Sequence, residues 1–347
     1  SNSFAASNFR TASDGTLLAN DPHFKLSVPS QFYLAHLDLS VGGVIGGTIP
    51  GIPTIIPGRT PYLAWGISAS YADDQDLYAE ELSETDVDMY RTTDGWTKFK
   101  TKNTIIKIKG EPSKKIKLKW TENGPVLGKK TSQISDITPP NHEMALSWTL
   151  LSPNDTSMSS LINLPYSKDL TTALESLEKH VAPSLNYTII DKENIALQLV
   201  GKLPKRNKDH NTQGRLPSFG YIEKNRWLGY NSYDNNPRFI NPKSGLIANT
   251  NNKVLEELFP NHISYDWGDS QRIERLTRLL ESRKVHTRES FIEAQLDTVS
   301  PTARALLPII GSELWYSQPM GEADSKERLR FDAVSMLASW NGEMNEH

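Results

Sequence analysis

The sequence predicts an α+β fold, sheets covered by helices, on three observations. The first half is made of short apolar runs separated by Gly and Pro, the pattern of strands and turns. Amphipathic stripes at helical spacing begin only at Lys168 and cluster towards the end. No internal repeat or low-complexity linker interrupts the chain, so residues 1–347 read as a single segment without a clean internal boundary.

In chain order, Ser3-Phe4-Ala5-Ala6 and Thr16-Leu17-Leu18-Ala19 read as two short strands joined through Thr11-Ala12-Ser13-Asp14-Gly15. Phe32–Leu37, Val44-Ile45, Thr54-Ile55-Ile56 and Tyr62–Trp65 follow as apolar runs of strand length. Gly42-Gly43-Val44-Ile45-Gly46-Gly47 invites a phosphate-loop reading, but no Gly-Lys-Ser/Thr and no helix follow it. These glycines are read as turn and close-packing positions. Residues 98–119 carry nine lysines, in Ile106-Lys107-Ile108-Lys109 and Ile116-Lys117-Leu118-Lys119, joined by Gly110-Glu111-Pro112-Ser113. Period-two alternation predicts an exposed hairpin with Ile and Leu on one face and a guard of lysines on the other. Lys168–Ala182 places Leu170, Ala173, Leu174, Leu177 and Val181 on one stripe and stops before Pro183. Asp269–Ser282, Thr287–Leu296 and Ser325–Trp340 read as further helices.

Composition narrows the chemistry. A net charge of -3 and a pI near 6.3 give no basic footprint for nucleic acid. No apolar run approaches the roughly 18–20 residues of a membrane helix, and residues 1–30 lack the zones of a signal peptide. The absence of cysteine excludes disulfides and thiolate chemistry. Among the histidines there is no HExxH and no close pair, which argues against catalytic zinc.

The sequence opens on Ser1 instead of Met. An N-terminal serine carries a hydroxyl and an α-amine whose ordinary pKa is about 7.7–8.0, so one residue supplies both a nucleophile and a base. Ser1-Asn2 alone also fits a pair left by cleavage of an added tag. A strand that begins at once leaves little room for a loose tag, and the motifs behind it decide the reading. They are Ser1-Asn2-Ser3, Arg10-Thr11-Ala12, Leu18-Ala19-Asn20-Asp21-Pro22-His23, Pro50-Gly51-Ile52-Pro53, Gly58-Arg59, Ala64-Trp65-Gly66, Asp73-Asp74-Gln75-Asp76-Leu77-Tyr78, Asn241-Pro242-Lys243-Ser244-Gly245 and Ala248-Asn249-Thr250-Asn251-Asn252. In this order the sequence resembles the penicillin acylase family of N-terminal nucleophile hydrolases, in the β chain that begins at the nucleophile after autoproteolysis of a precursor.

The resemblance implies a four-layer αββα sandwich, a partner α chain from the same precursor, an acylated small-molecule substrate and a periplasmic or secreted location. It also implies that this sequence is a nicked or truncated part of the family's chain. Ser1 would be nucleophile and base, with a water bridging Oγ to the amine. The Ala69 backbone N–H and the Asn251 side-chain amide would receive the oxyanion. Asn251 read without the family is a turn residue, as Asn clusters usually are. Arg272 matches the active-site arginine and would orient Asn251; on spacing alone it would pair with Asp269 or Glu274. His23 stands where members carry Gln or His, and its imidazole or its backbone can fix the Ser1 amine. In some members a carboxylate further along the family chain backs that histidine.

Asp73, Asp74 and Asp76 form a dense acidic cluster that fails the EF-hand spacing. The resemblance implies no cofactor for catalysis but a structural calcium on Asp73, Asp76 and the Gln75 carbonyl, completed by a partner-chain residue and Asn261. It assigns the acyl pocket to Phe24, Ile56, Ile67, Trp148 and Leu185, positions that core packing would explain equally. Pro57 and Ile67 replace the aromatic residue and small hydroxyl of penicillin G acylases, which favours aliphatic acyl groups, such as those of N-acyl homoserine lactones, over phenylacetyl. The expected activity is hydrolysis of a linear amide through an acyl-enzyme. The alternative is a non-catalytic binding or structural relative in which Ser1 is not activated.

Overall fold

The computed structural model describes residues 1–128, 133–255, 259–314, 321–322 and 324–345. Glu346 and His347, which close the expected truncated end, lie outside them.

The strand Asn2–Ala6 is the centre of a three-stranded antiparallel sheet between Leu17–Asp21 and Leu246–Asn249. Its alternation sorts its side chains between two layers. Phe4 and Ala6 are buried against Leu276, Leu280 and Phe291 from the helices Gln271–Glu281 and Arg288–Gln295. The rings of Phe4 and Phe291 are 4.9 Å apart. Ala5 points the other way, into a cluster with Ile190, Ile195, Leu197 and Ile247.

That second cluster joins the small sheet to a seven-stranded one. Its order is Arg238–Ile240, Ile195–Val200, Leu185–Ile190, Ala64–Ala69, Gly58–Arg59, Val44–Thr48 and Tyr33–Leu37. The far face of this sheet presents Trp65, Ile67, Tyr187, Ile189 and Val200 to Leu170, Ala173, Leu174 and Leu177 of the helix Leu170–Glu178. Helices, sheet, sheet, helix: the αββα order is a direct reading of which side chains share each cluster. The helix stays in register because Asp169 and Thr172 form a capping box, with the Thr172 N–H donating to Asp169 Oδ1 at 2.8 Å. A smaller three-stranded sheet places Gln75–Glu81 between His142–Trp148 and Ser218–Phe219.

Several expectations need correction. Thr54-Ile55-Ile56 is not a strand; Ile55 is fully buried in a bend whose backbone bonds to Gly47. The prolines Pro53 and Pro57 on either side remove the donors a strand would use. The connection between the first two strands is longer than a tight turn and holds a 3-10 turn at Asn8–Arg10. The lysine hairpin, Lys100–Ile108 with Glu111–Thr121, sets Thr104 opposite Ile116 and Lys102 opposite Leu118, so no continuous apolar face forms. Its other face turns Lys117 to Asp88 and Lys119 to Glu143. The helix Pro301–Leu314 was not anticipated, since Pro308 interrupts its pattern.

Two substitutions test this layering. Leu177→Ala, at a side chain with no exposed surface, should cost about 2–5 kcal/mol in stability. Ile105→Ser on the exposed hairpin should stay within about 0.5 kcal/mol, and thermal melts of both variants check the contrast.

Candidate active site

Three consecutive residues at the end of the Ala64–Ala69 strand are tied to three asparagines, two in the small sheet and one, Asn251, in the turn just after its strand Leu246–Asn249. Asn20 Nδ2 donates to the Ile67 carbonyl at 2.8 Å and Asn20 Oδ1 accepts from the Ile67 N–H at 3.1 Å. Ser68 Oγ donates to Asn249 Oδ1. Asn251 Nδ2 donates to the Ala69 carbonyl at 2.9 Å. Glycine is required at position 66 for this approach, because a Cβ there would sit 2.6 Å from Asn20 Cβ.

Ser1 hangs from this seam. Its α-amine donates to Asn251 Oδ1 at 2.8 Å. Asn251 is buried and sits at φ +67°, a left-handed conformation that asparagine tolerates, so its turn geometry and its contact with Ser1 coexist. Arg272, near the start of the helix Gln271–Glu281, reaches the same oxygen with Nη2 at 3.1 Å, the Ser1 carbonyl at 3.3 Å and Asn2 Oδ1 at 2.9 Å. Glu274 instead engages Ser270 and Arg278. With Oδ1 holding two donors and one N–H on Ala69, the Asn251 amide keeps its second N–H for another acceptor.

Burial pushes the Ser1 amine down from 8.0 to about 6, the positive charge of Arg272 pushes the same way, and Asp21 opposes both. At neutral pH the amine is therefore mostly unprotonated, a base by environment. The His23 backbone N–H points at Ser1 Oγ from 3.4 Å, while its imidazole Nε2 lies 2.6 Å from Asp21 Oδ2. So the histidine meets the Ser1 hydroxyl through its backbone, and the carboxylate behind its ring is two residues away in sequence. Asn2 Nδ2 also donates to Asp21, at 3.2 Å. A cavity of about 440 Å³ borders Asn2, Asp21, His23, Thr250 and Arg272.

The sequence reading missed Asp21, Asn2 and Asn20. All three sit inside motifs quoted above, but only the alternation of the Leu17–Asp21 strand hinted that Asp21 and His23 share a side. The five acyl-pocket candidates divide. Ile56, Ile67 and Leu185 converge on the cluster beneath the large sheet, and Leu185 is the register partner of Ala69. Trp148 is half-buried at the end of its strand, opposite Gln75. Phe24 is half exposed against Phe32, 5.3 Å ring to ring, beside a groove of about 580 Å³.

Of the expected calcium ligands, Asp76 and Asp73 have protein partners. Both Asp76 oxygens are engaged, Oδ1 by Arg206 Nη2 at 2.8 Å and Oδ2 by Arg206 Nε at 3.0 Å and by the Trp227 indole. Asp73 Oδ2 meets His262 Nε2, and Asn261 lines a cavity with Asp234 and Asn236. Among the described residues no group of three or more His, Asp or Glu is placed to hold a metal.

Comparison with known proteins gives the fold and the family. The acyl-homoserine lactone acylase QuiP of Pseudomonas aeruginosa is 27% identical over 99% of this chain and 41% of its own length. The penicillin acylase 2 proenzyme of Pseudomonas sp. strain SE83 is 24% identical over 99% of this chain and 42% of its own. The chain thus spans about two fifths of the length of the curated relatives it matches. A thermostable penicillin G acylase from Alcaligenes faecalis superimposes on the whole chain and 60% of its own, with a TM-score of 0.81 at 22% identity, and so shares the fold. The penicillin amidase family model matches residues 1–347, and the chain belongs to that family.

Proposed function

We propose that this chain is the nucleophile-bearing part of an N-terminal serine amidohydrolase that removes a hydrophobic acyl group from an amine. The observation that carries the reading is the shared grip on Ser1: its amine bound to Asn251 and depressed to about 6, its hydroxyl facing the His23 N–H. The neutral amine takes the Oγ proton through a bridging water as Oγ attacks the amide carbon. Negative charge then develops on the former carbonyl oxygen. The free N–H of Asn251 and the Ala69 backbone N–H receive it, on a frame that the seam hydrogen bonds hold fixed. The ammonium returns its proton to the leaving nitrogen as the C–N bond breaks, and water hydrolyses the resulting ester by the same route. Arg272 and Asp21 act on this cycle by charge and position.

Relatives named acyl-homoserine lactone acylase, together with Ile67 and Pro57 at the pocket, favour an aliphatic acyl chain. A partner α chain from the same precursor fits the share of the relatives' length that this chain spans. Leu26, Val28 and Leu34 offer apolar surface to it, each at least 86% exposed.

Ser1→Ala should abolish turnover and processing, and a serine-directed sulfonyl fluoride should label Ser1 of the processed wild type alone. Processing without an adduct would favour the non-catalytic alternative. Asn251→Ala should lower kcat by about 10²–10³ with the fold intact by circular dichroism. For pH, protonation removes the base, so kcat/KM should fall about tenfold per unit below an apparent pKa of about 6 and level off above it. Asp21→Asn deletes the one charge that favours the ammonium, and should move that acid limb to lower pH.

A further inference from the structure

The acidic bend after the Ala64–Ala69 strand is closed by a guanidinium. Arg206 belongs to the strand Pro204–Arg206, which pairs with Trp227–Tyr230 so that Arg206 and Trp227 are register partners and reach Asp76 together. The Arg206 and Asp76 side chains are 5% and 4% exposed. Beyond its two bonds to Asp76, Arg206 Nη2 donates to the Asp73 carbonyl at 3.0 Å. Glycine seals the pair from above: a Cβ on Gly214 would lie 2.6 Å from Asp76 Oδ1 and 2.8 Å from Arg206 Nε.

A divalent ion at this bend would need the Asp76 oxygens that a fork-shaped, bidentate donor already fills. It would also stand within a few ångströms of a cation that does not lose its proton in proteins. Two positive groups cannot share one buried carboxylate at short range without a large repulsion. We propose that Arg206 is the built-in substitute for a divalent cation: the Asp73–Asp76 bend is held by its guanidinium and takes no calcium. Arg206 thereby becomes a positioning residue for the segment that leaves Ala69, anchored also by the Asp73 N–H on the Ile263 carbonyl at 2.8 Å.

The test is thermal unfolding of the full-length protein after exhaustive chelation, with and without restored calcium. An unchanged Tm is expected; a change on chelation that persists undiminished in Asp73→Asn belongs to another place and upholds the proposal equally. A Tm that falls on chelation, recovers with calcium and loses this response in Asp73→Asn overturns the proposal. Arg206→Ala should lower Tm by about 5 °C or more and gain a stabilising response to millimolar calcium as Asp73 and Asp76 are freed. A variant as stable as wild type also overturns it. If Arg206→Ala does not fold, the wild-type chelation result decides alone. Arg206→Lys keeps the charge without the fork and should recover only part of the loss, with kcat reduced more than KM is altered.

Discussion

The seam between the two sheets is the constraint on which the site depends. Sheets usually meet through interdigitated apolar side chains about 10 Å apart. Here an apolar cluster of that kind is joined by a polar grip: Ile67, Ser68 and Ala69 are held by Asn20, Asn249 and Asn251, and Gly66 lets the backbones close in. Asn20 also donates to the Asn2 carbonyl at 2.7 Å, so the residue next to Ser1 is fixed to the same frame. The proposed nucleophile and oxyanion donors thus share one hydrogen-bonded unit, and their separation does not rest on the flexibility of a loop. Apolar burial on the outer faces, by Phe4 with Phe291 and by Trp65 with Leu177, keeps that unit from opening.

Charge is arranged around the frame with equal economy. Arg272 and the Ser1 amine both donate to Asn251 Oδ1, which places two potential cations on one neutral acceptor. That arrangement is tolerable only if one of them is uncharged, and it is the amine that yields, since guanidinium does not. Asp21 stands close enough to temper this effect while holding the His23 ring and Asn2. Elsewhere the same arginine chemistry is used for cohesion, as between Arg206 and Asp76.

Local signals were well legible in the sequence, because they depend on neighbours. The stripe at Leu170, Ala173, Leu174 and Leu177 gave its helix, and Thr287 and Ser325 lie at the helix N-caps where the pattern put them. The Thr54–Ile56 run misled because burial and strand conformation carry the same apolar signature, and only its flanking prolines separated them. Long-range pairings left no trace. Arg206 is 130 residues from Asp76, and nothing in either stretch announces the other. Asn251, 250 residues from Ser1, was readable only by resemblance to a family. The order of layers came the same way, from motifs, whereas composition reached no further than sheets with helices.

The Ala64–Ala69 strand has two unlike faces. Its positions Gly66 and Ser68 look into the seam, while Trp65 and Ile67 look towards the helix layer where the pocket candidates Ile56 and Leu185 converge. One strand therefore serves two layers with alternate residues. A larger side chain at Gly66 would press the sheets apart at the seam that holds Ser1, whereas a different one at Ile67 would reshape the space on the opposite face. On the function proposed above, position 67 is therefore a place where what the far side of the strand accommodates can change while the Asn20 grip on its backbone stays the same, and that separability gives the scaffold a capacity to diversify.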